Sequence, residues 1–546
     1  MAKAKAPYKQ PNGTGGLREL FRELWNTAVT LRGNIEPADY KRYVLPLIFL
    51  RFLSLRYEVR RAEIDKEIAD PESDLHTTSE QMALQLREDP DLYLAKQVFL
   101  VPEDARWDNI IKIARADDVK IRLDKILELL ETTFPKLKGL LPSIYAGSNL
   151  DKENIAGLIN LFSKDIFRFD IGGIDMLGRV YEYFIGEFAS SEGKRGGEYF
   201  TPESIVKTLV AMLEPTEGKV YDPCCGSGGM FVQSDHFAHH SGKLSFFGQE
   251  AKDFTYRLCR LNLFIHGLDG DIKLGSSYGN DQHASLKADY IIANPPFNDG
   301  SKGDKGWGAD KITQEDPRRR LPGNPEPLPL APRNANTMWM LHFMSHLKDP
   351  SSREPGGSAG FVMARGELSN AEIARLSVRR ALVEGDFIDC VVTLTGKLFA
   401  NTQIPCALVF LSKNRVGGHG FRRRLGETLF ISGDRLATLI PGSRRQKQLA
   451  AGEIERIATV YREFKRERRP EPIQGFSAVA DLAQIRTFRY ALTPGRYVGA
   501  TDDIEDEEPF EERFPKLKSE VLKHLSTGGL MDLRVRAALA DLITEE

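Results

Sequence analysis

The stretch Ala288–Gly300, "ADYIIANPPFNDG", runs an apolar strand into Asn294 and follows it at once with Pro295, Pro296 and Phe297. A turn alone needs one Pro or one Gly. Pro295 forces Asn294 into extended geometry, and two consecutive prolines withhold backbone donors while leaving their carbonyls free. The strand edge therefore offers acceptors, the Asn294 side-chain oxygen and the Pro295 carbonyl. An exocyclic amino group on adenine or cytosine is a poor nucleophile because its lone pair is delocalised into the ring. Two acceptors on its two protons would let the nitrogen pyramidalise and attack a methyl donor in line, with Phe297 stacked against the base. A base reaches such an edge only outside the duplex stack, which implies flipping. Stacking on an aromatic ring contributes roughly 1–3 kcal/mol against the few kcal/mol that unstacking costs. This chemistry requires no metal and no covalent nucleophile.

A second cluster lies upstream. "KVYDPCCGSGGMF" places an apolar strand, then Asp222, then Gly226-Ser227-Gly228-Gly229 ahead of a predicted helix. This is the first strand-to-helix turn of a doubly wound fold, where glycines let the backbone approach a ligand at the carboxyl ends of the strands. The next strand ends in Glu250, 22 residues after Gly228, where a carboxylate can accept from both ribose hydroxyls. The dinucleotide fingerprint wants a third glycine where Phe231 stands, and a phosphate-binding loop wants a Gly-Lys-Ser/Thr ending, which is absent. An acid before the turn, two close glycines and a ribose acid suit a nucleoside without phosphates, such as S-adenosyl-L-methionine.

The elements that must position these residues follow from periodicity. From Leu17 to about Phe167 apolar residues recur at helical spacing, as in "LRELFRELWNTAVTL" and "IRLDKILELLETTF", which predicts an all-α N-terminal domain over 1–168. The run Tyr43–Leu55, interrupted by Arg51, is too short to span a bilayer and reads as a buried helix. After Gly196 short apolar runs alternate with helical stretches, predicting an α/β catalytic domain over 169–415 with a mostly parallel sheet in which "ADYIIA" is the fourth strand. Residues 298–334, rich in Gly, Pro and charge, read as a long loop with a lid or partner-contact role. Past Lys413, where the sheet is expected to end, residues 416–546 read as a mixed and helical region for subunit contacts, with basic clusters at Arg422–Arg424 and Arg462–Arg469 as solvated faces and a helix around Phe514–Leu525.

Composition bounds the partners. At 546 residues two or three domains are expected. The 75 basic and 77 acidic side chains nearly cancel, so bulk charge gives little attraction to DNA and any contact must come from local patches or a partner. Five cysteines, two of them adjacent, form neither a disulfide framework nor a metal-ligand spacing, and the polar N-terminus lacks the apolar core of a signal peptide. A cytoplasmic protein without a membrane segment is expected.

The order "GGEYFTPESIV", "DPCCGSGG", "GQE" and "NPPF" resembles the gamma arrangement of amino-methyltransferases. More narrowly, with "TPGRYV", "GKLFANTQIPCALVFLSK" and the helical start "LWNTAVTLRGNIEPADYKRYVLPLIFLRFLSLRYE", the chain resembles the methylation subunit of type I restriction-modification systems over most of its length. The resemblance implies a Rossmann-like S-adenosyl-L-methionine-dependent sheet and an adenine-N6 methyltransferase acting on double-stranded DNA. It implies a separate specificity subunit, a restriction subunit for cleavage, and two methylation copies per specificity subunit. By the same likeness Tyr199, Phe200, Thr201 and Pro202 border the methionine part of the cofactor, Asp222, Gly226, Ser227 and Gly228 lie beneath it, Glu250 holds the ribose, and Asn294, Pro295, Pro296 and Phe297 hold the target adenine.

Two departures stand out. "KLGSSYG" supplies Ser276 and Ser277 where the family often carries an acid near the cofactor adenine. Pro223-Cys224 mimics the nucleophile of cytosine-C5 methyltransferases but sits inside the glycine turn, so Cys224 is expected to be a packed turn residue. The competing readings are a self-sufficient DNA amino-methyltransferase acting on adenine N6 or cytosine N4, a protein-glutamine methyltransferase, and a catalytically silent scaffold that binds cofactor.

Overall fold

The computed structural model describes residues 14–33, 35–96, 98–167, 173–191, 201–297, 309, 312–400, 402–440, 443 and 446–499, together with separate positions between 514 and 532. Tyr199 and Phe200 lie outside the described residues.

The N-terminal region is helical, as its periodicity predicts. Its axis is the Pro37–Ala69 helix, which starts on a proline at a position where the missing N–H costs nothing. Within Tyr43–Leu55 Val44, Leu47, Ile48, Phe49, Leu50, Phe52 and Leu55 are all buried. Arg51 is tolerated there because its guanidinium reaches Glu58 Oε1 at 2.7 Å and the Phe167 carbonyl at 3.1 Å. Leu177, Val180, Phe184 and Phe188 of the Gly173–Ser191 helix belong to the same core, as do Leu258, Leu261 and Ile265 of the Asp253–Ile265 helix. Packing therefore crosses the expected border at residue 168.

The strands of the main sheet are β1 (Gly218–Asp222), β2 (Leu244–Glu250), β3 (Gly270–Leu274), β4 (Tyr290–Ala293), β5 (Ser358–Ala364), β6 (Ile388–Leu394), β7 (Cys406–Ser412), β8 (Glu427–Gly433) and β9 (Ser477–Asp481). Their order across the sheet is β9-β8-β6-β7-β5-β4-β1-β2-β3. The run from β3 to β5 is parallel throughout, and β7 enters antiparallel between β5 and β6. The order reverses direction at β1, so the crevice between the carboxyl ends of β1 and β4 is the topological switch point where ligands bind in such sheets. Asp222 ends β1 and Asn294 follows β4 directly, so both stand at that crevice.

Three sequence expectations change. The sheet does not end near Lys413, because β8 joins β6 in parallel and β9 pairs antiparallel with β8. The basic clusters are solvated only in part: Arg423, Arg466, Arg468 and Arg469 are exposed, whereas one member of each cluster is buried. Arg424 is 1% exposed against Asp389, and Lys465 is buried against Glu214 and the Met212 carbonyl. Their charges face inward because these segments carry the carboxylates' partners, a pairing invisible to local composition. Finally, 312–334 is no open loop: Ile312, Arg318, Arg319, Leu321, Leu328 and Ala331 are buried, and Pro317–Arg319 forms a helical turn.

Candidate active site

Asn294 emerges from β4 with its amide clamped. Its Nδ2 donates to Thr201 Oγ1 at 2.9 Å, across 93 residues of sequence. That bond engages the donor end of the amide, and its Oδ1 is buried with no hydrogen-bond partner. A buried acceptor left unpaired costs about 1–3 kcal/mol, so such an atom needs a reason for its persistence. Thr201 stands at the entry to the Glu203–Leu213 helix, whose buried face (Ile205, Val206, Leu209, Val210) anchors it to the sheet. Thr201 thus holds Asn294, a contact that the expected role of Thr201 beside the cofactor did not include. Pro202 follows it as the residue that caps this helix.

Pro295 is buried, Pro296 and Phe297 half-buried. The Phe297 ring meets Phe399 edge to face, centroids 5.8 Å apart at 78°. Phe399 lies in the "GKLFANTQIPC" segment, where sequence reading assigned it no role.

The glycine turn closes against the same edge. Asp222 is 2% exposed, and its Oδ1 accepts from the Cys224 backbone N–H at 3.0 Å and from the Cys224 thiol at 3.4 Å. Burial pushes the Asp222 carboxyl up to about 7, opposed by those bonds and assisted by the charge of Glu250. The Cys224 thiol is itself raised well above its ordinary range, by burial first and by Asp222 second. It is protonated and donating, the opposite of an activated nucleophile. The Asn294 backbone N–H bonds to the same sulfur, so Cys224 joins the two motifs. All five cysteines are free.

The two glycines differ in what they do. Gly226, at φ +54°, would present an added Cβ to nothing within 4 Å, so space opens above it. Gly228, at φ +80°, would press a Cβ to 3.0 Å from Cys259 Sγ, so it serves close packing onto the Asp253–Ile265 helix. The Ser227 carbonyl accepts from Asn262 Nδ2 of that helix at 2.9 Å. Glu250 accepts from the Gly226 N–H at 3.1 Å and the Lys252 N–H at 2.9 Å, which fixes its carboxylate at the mouth of the turn. Open space at Gly226, an ionisable acid beneath and a fixed carboxylate beside it fit a nucleoside with a cationic tail.

Ser277 does not replace the missing acid with a side chain aimed at a ligand. It is buried, and its Oγ donates to the Pro223 carbonyl at 2.5 Å. Asp281, His342 and His346 bring three ligand-type atoms within 4.8 Å of one another. The ring nitrogens of both histidines are already engaged, by Tyr221 (3.2 Å), Arg318 (3.3 Å), the Leu286 carbonyl (3.0 Å) and Asp281 (2.9 Å). With a guanidinium among those partners the trio is a packed network, not a metal centre.

Comparison with known proteins agrees with this geometry. The N-6 DNA Methylase family matches residues 172–507, and the HsdM N-terminal domain matches residues 20–162. A type I restriction enzyme methylase subunit, MjaIX, of Methanocaldococcus jannaschii is 38% identical over 93% of this chain and 88% of its own length. The HindI methylase subunit of Haemophilus influenzae is 32% identical over 81% of this chain and 99% of its own. The crystal structure of the type I restriction-modification system methyltransferase subunit from Streptococcus thermophilus superposes with a TM-score of 0.71 at 25% identity, covering 88% of this chain and 99% of that one. Reversed sheet order, clamped asparagine and matched sequence along both halves converge: the chain belongs to the N-6 DNA methylase family and, within it, to the methylase subunits of type I restriction enzymes.

Proposed function

We propose that this chain methylates the N6 amino group of an adenine extruded from double-stranded DNA, using S-adenosyl-L-methionine, while a separate specificity subunit reads the sequence. The observation that carries this reading is the buried, unpartnered Asn294 Oδ1, with the other end of its amide held by Thr201 at the switch point of the sheet. When bound, the cofactor supplies an electrophilic methyl group on a cationic sulfur. Asn294 Oδ1 and the Pro295 carbonyl accept the two amino protons and so concentrate the nitrogen lone pair, Phe297 supports the base, Glu250 orients the ribose, and Asp222 balances the cofactor's cationic end. Pro202 and Thr201 border the methionine portion; Tyr199 and Phe200, which the family resemblance assigns to the same role, lie outside the described residues.

The relatives are named as subunits of type I restriction enzymes, which supports a partnered assembly; the assembly we propose has one specificity subunit, two copies of this chain and a restriction subunit, working in the cytoplasm. No helix among the described residues is long and apolar enough to cross a membrane. Under this reading 1–168 braces the catalytic sheet and the region after 415 meets the partner. Phe514, Val521, Leu522, Leu525 and Met531, each more than half exposed at helical positions near the C-terminal end, supply an apolar face for it.

Mass spectrometry of nucleosides from DNA incubated with this chain, with and without the specificity subunit, tests the proposal. N6-methyladenine only in the presence of the partner supports it. N4-methylcytosine redirects the acceptor, methylation by the chain alone supports the self-sufficient enzyme, and no methylated nucleoside in either reaction refutes it.

Two smaller effects follow. Thr201→Val removes the acceptor that orients the Asn294 amide. Single-turnover transfer at saturating cofactor should fall about tenfold, the value of one net hydrogen bond. Cofactor affinity itself should depend on pH. The complex needs Asp222 ionised, whereas the free protein holds its proton up to about 7. Binding therefore releases a proton below that value, affinity falls by up to tenfold for each unit below it and levels off above. Calorimetry in buffers of different ionisation enthalpy reads the released proton, and Asp222→Asn should remove the dependence.

A further inference from the structure

The loop after β3, residues 275–283, is bonded to both halves of the cofactor turn. Gly275 N–H donates to the Glu250 carbonyl at 2.9 Å, and Ser277 Oγ donates to the Pro223 carbonyl at 2.5 Å. Gln249 spans the gap, donating to the Asn280 carbonyl at 2.7 Å and accepting from the Gln282 N–H at 3.2 Å. A nucleoside whose ribose is held by Glu250 at the end of β2 has its base toward β3, the neighbouring strand, and so against this loop. What fixes the loop's outer side is Arg318, which comes from the segment following the Asn-Pro-Pro-Phe edge. Arg318 is 8% exposed, pairs with Asp316 at 2.7 Å, and sends its two terminal nitrogens to consecutive loop carbonyls, Ser277 O and Tyr278 O, both at 2.7 Å. Its Nη1 also reaches His342 Nδ1 at 3.3 Å. A buried guanidinium is costly unless its donors are met. Here the donors are shared between the Asp316 carboxylate, which takes Nε at 3.0 and 3.2 Å and Nη2 at 2.7 Å, and the two loop carbonyls of the backbone that would face the cofactor's base.

We infer that Arg318 is a positioning residue for the cofactor: it holds the 275–283 loop as the wall of the base pocket, in place of an acidic side chain at Ser276 or Ser277. The inference rests on the proposed use of S-adenosyl-L-methionine. A lysine ammonium is a single point with three donors and lacks the planar fork whose separate nitrogens span two consecutive carbonyls and a carboxylate, so Arg318→Lys loosens the wall while keeping the charge. Asp316→Asn loosens it more gently by releasing the guanidinium's anchor.

Calorimetric titration of S-adenosyl-L-methionine and of 5′-methylthioadenosine, which lacks the amino-acid end, into wild type and both variants tests the inference. Arg318→Lys should weaken both ligands by the same factor of about ten, and Asp316→Asn by a smaller factor. The KM for cofactor should rise accordingly while kcat at saturating cofactor stays within twofold. A purely structural role would lower the melting temperature without splitting KM from kcat. If wild type binds both ligands and the folded variants bind them equally well, the inference is overturned and the cofactor reading stands. If Arg318→Lys does not fold, Asp316→Asn decides by the same criterion. Failure of wild type to bind either ligand overturns the cofactor reading and this inference together.

Discussion

Asn294→Ala should lower single-turnover methyl transfer roughly 10³-fold, by analogy with removal of one preorganised group that stabilises charge in a transition state, while the affinity for S-adenosyl-L-methionine changes less than twofold. The asymmetry follows from placement. Cofactor groups are expected against Asp222, Gly226 and Glu250, at the ends of β1 and β2, whereas Asn294 follows β4 and makes its described side-chain bond to Thr201. Its Oδ1 is buried and unpaired in the free protein, so no protein donor has to be displaced for it to accept a hydrogen bond from the amine. Asn294→Asp retains an acceptor at the same distance from the backbone and should lose less than the alanine variant. Tritium transfer from labelled cofactor under single turnover, beside calorimetric binding, separates the two effects. Transfer by Asn294→Ala within tenfold of wild type would remove this residue from the mechanism.

The reactive residues were legible because each motif is local. Pro295 dictates the geometry of Asn294 from one position away, and the glycine turn and Glu250 are separated by one strand and one helix. Strands were legible too, since short apolar runs bounded by Gly and polar turns leave few alternatives. What composition could not supply is any bond that spans the chain. Thr201 meets Asn294 across 93 residues, and nothing in "YFTPE" marks its hydroxyl for that partner. Arg318 sits in "DPRRRLPG", whose texture is that of an exposed loop, yet it is buried because Ser277 and Tyr278, 41 and 40 residues earlier, present two carbonyls to it. The same failing hid the end of the sheet. β8 is flanked by arginines whose charge argued for solvent, and only the carboxylate of β6 explains why they turn inward. The helical N-terminal half gave its fold away by periodicity, but its docking on the Asp253–Ile265 helix rests on Leu258, Leu261 and Ile265, which read equally well as part of the sheet's own core.

That inward-facing network leads to the second large effect, on stability. Asp389, on β6, is fully buried and receives Arg424 Nε at 2.8 Å, Arg424 Nη2 at 3.1 Å and the Tyr461 hydroxyl at 2.7 Å, and it is paired with Arg415 as well. Burial alone would raise its carboxyl, but the charges of Arg424 and Arg415 outweigh burial and hold it well below the usual range. Since its folded value lies below the unfolded value of about 3.8, its contribution is complete above that pH and is lost only as pH falls toward the folded value. Across the neutral range the network does not titrate. Asp389→Ala leaves the Arg424 guanidinium in the core without its counter-charge and Arg415 with Asp386 alone, which costs about 3–5 kcal/mol. Asp389→Asn keeps the shape and one acceptor and should cost less. The partners come from β6, from the segments on either side of Gly417–Phe421, and from the Ala451–Arg462 helix, so the loss belongs to the outer half of the sheet. Hydrogen exchange should therefore accelerate in β6, β8 and the Ala451–Arg462 helix, while the Pro37–Ala69 helix, in a separate core, keeps its protection. Uniform acceleration, or a melting temperature equal to that of wild type, would show that the network does not hold the extended sheet together.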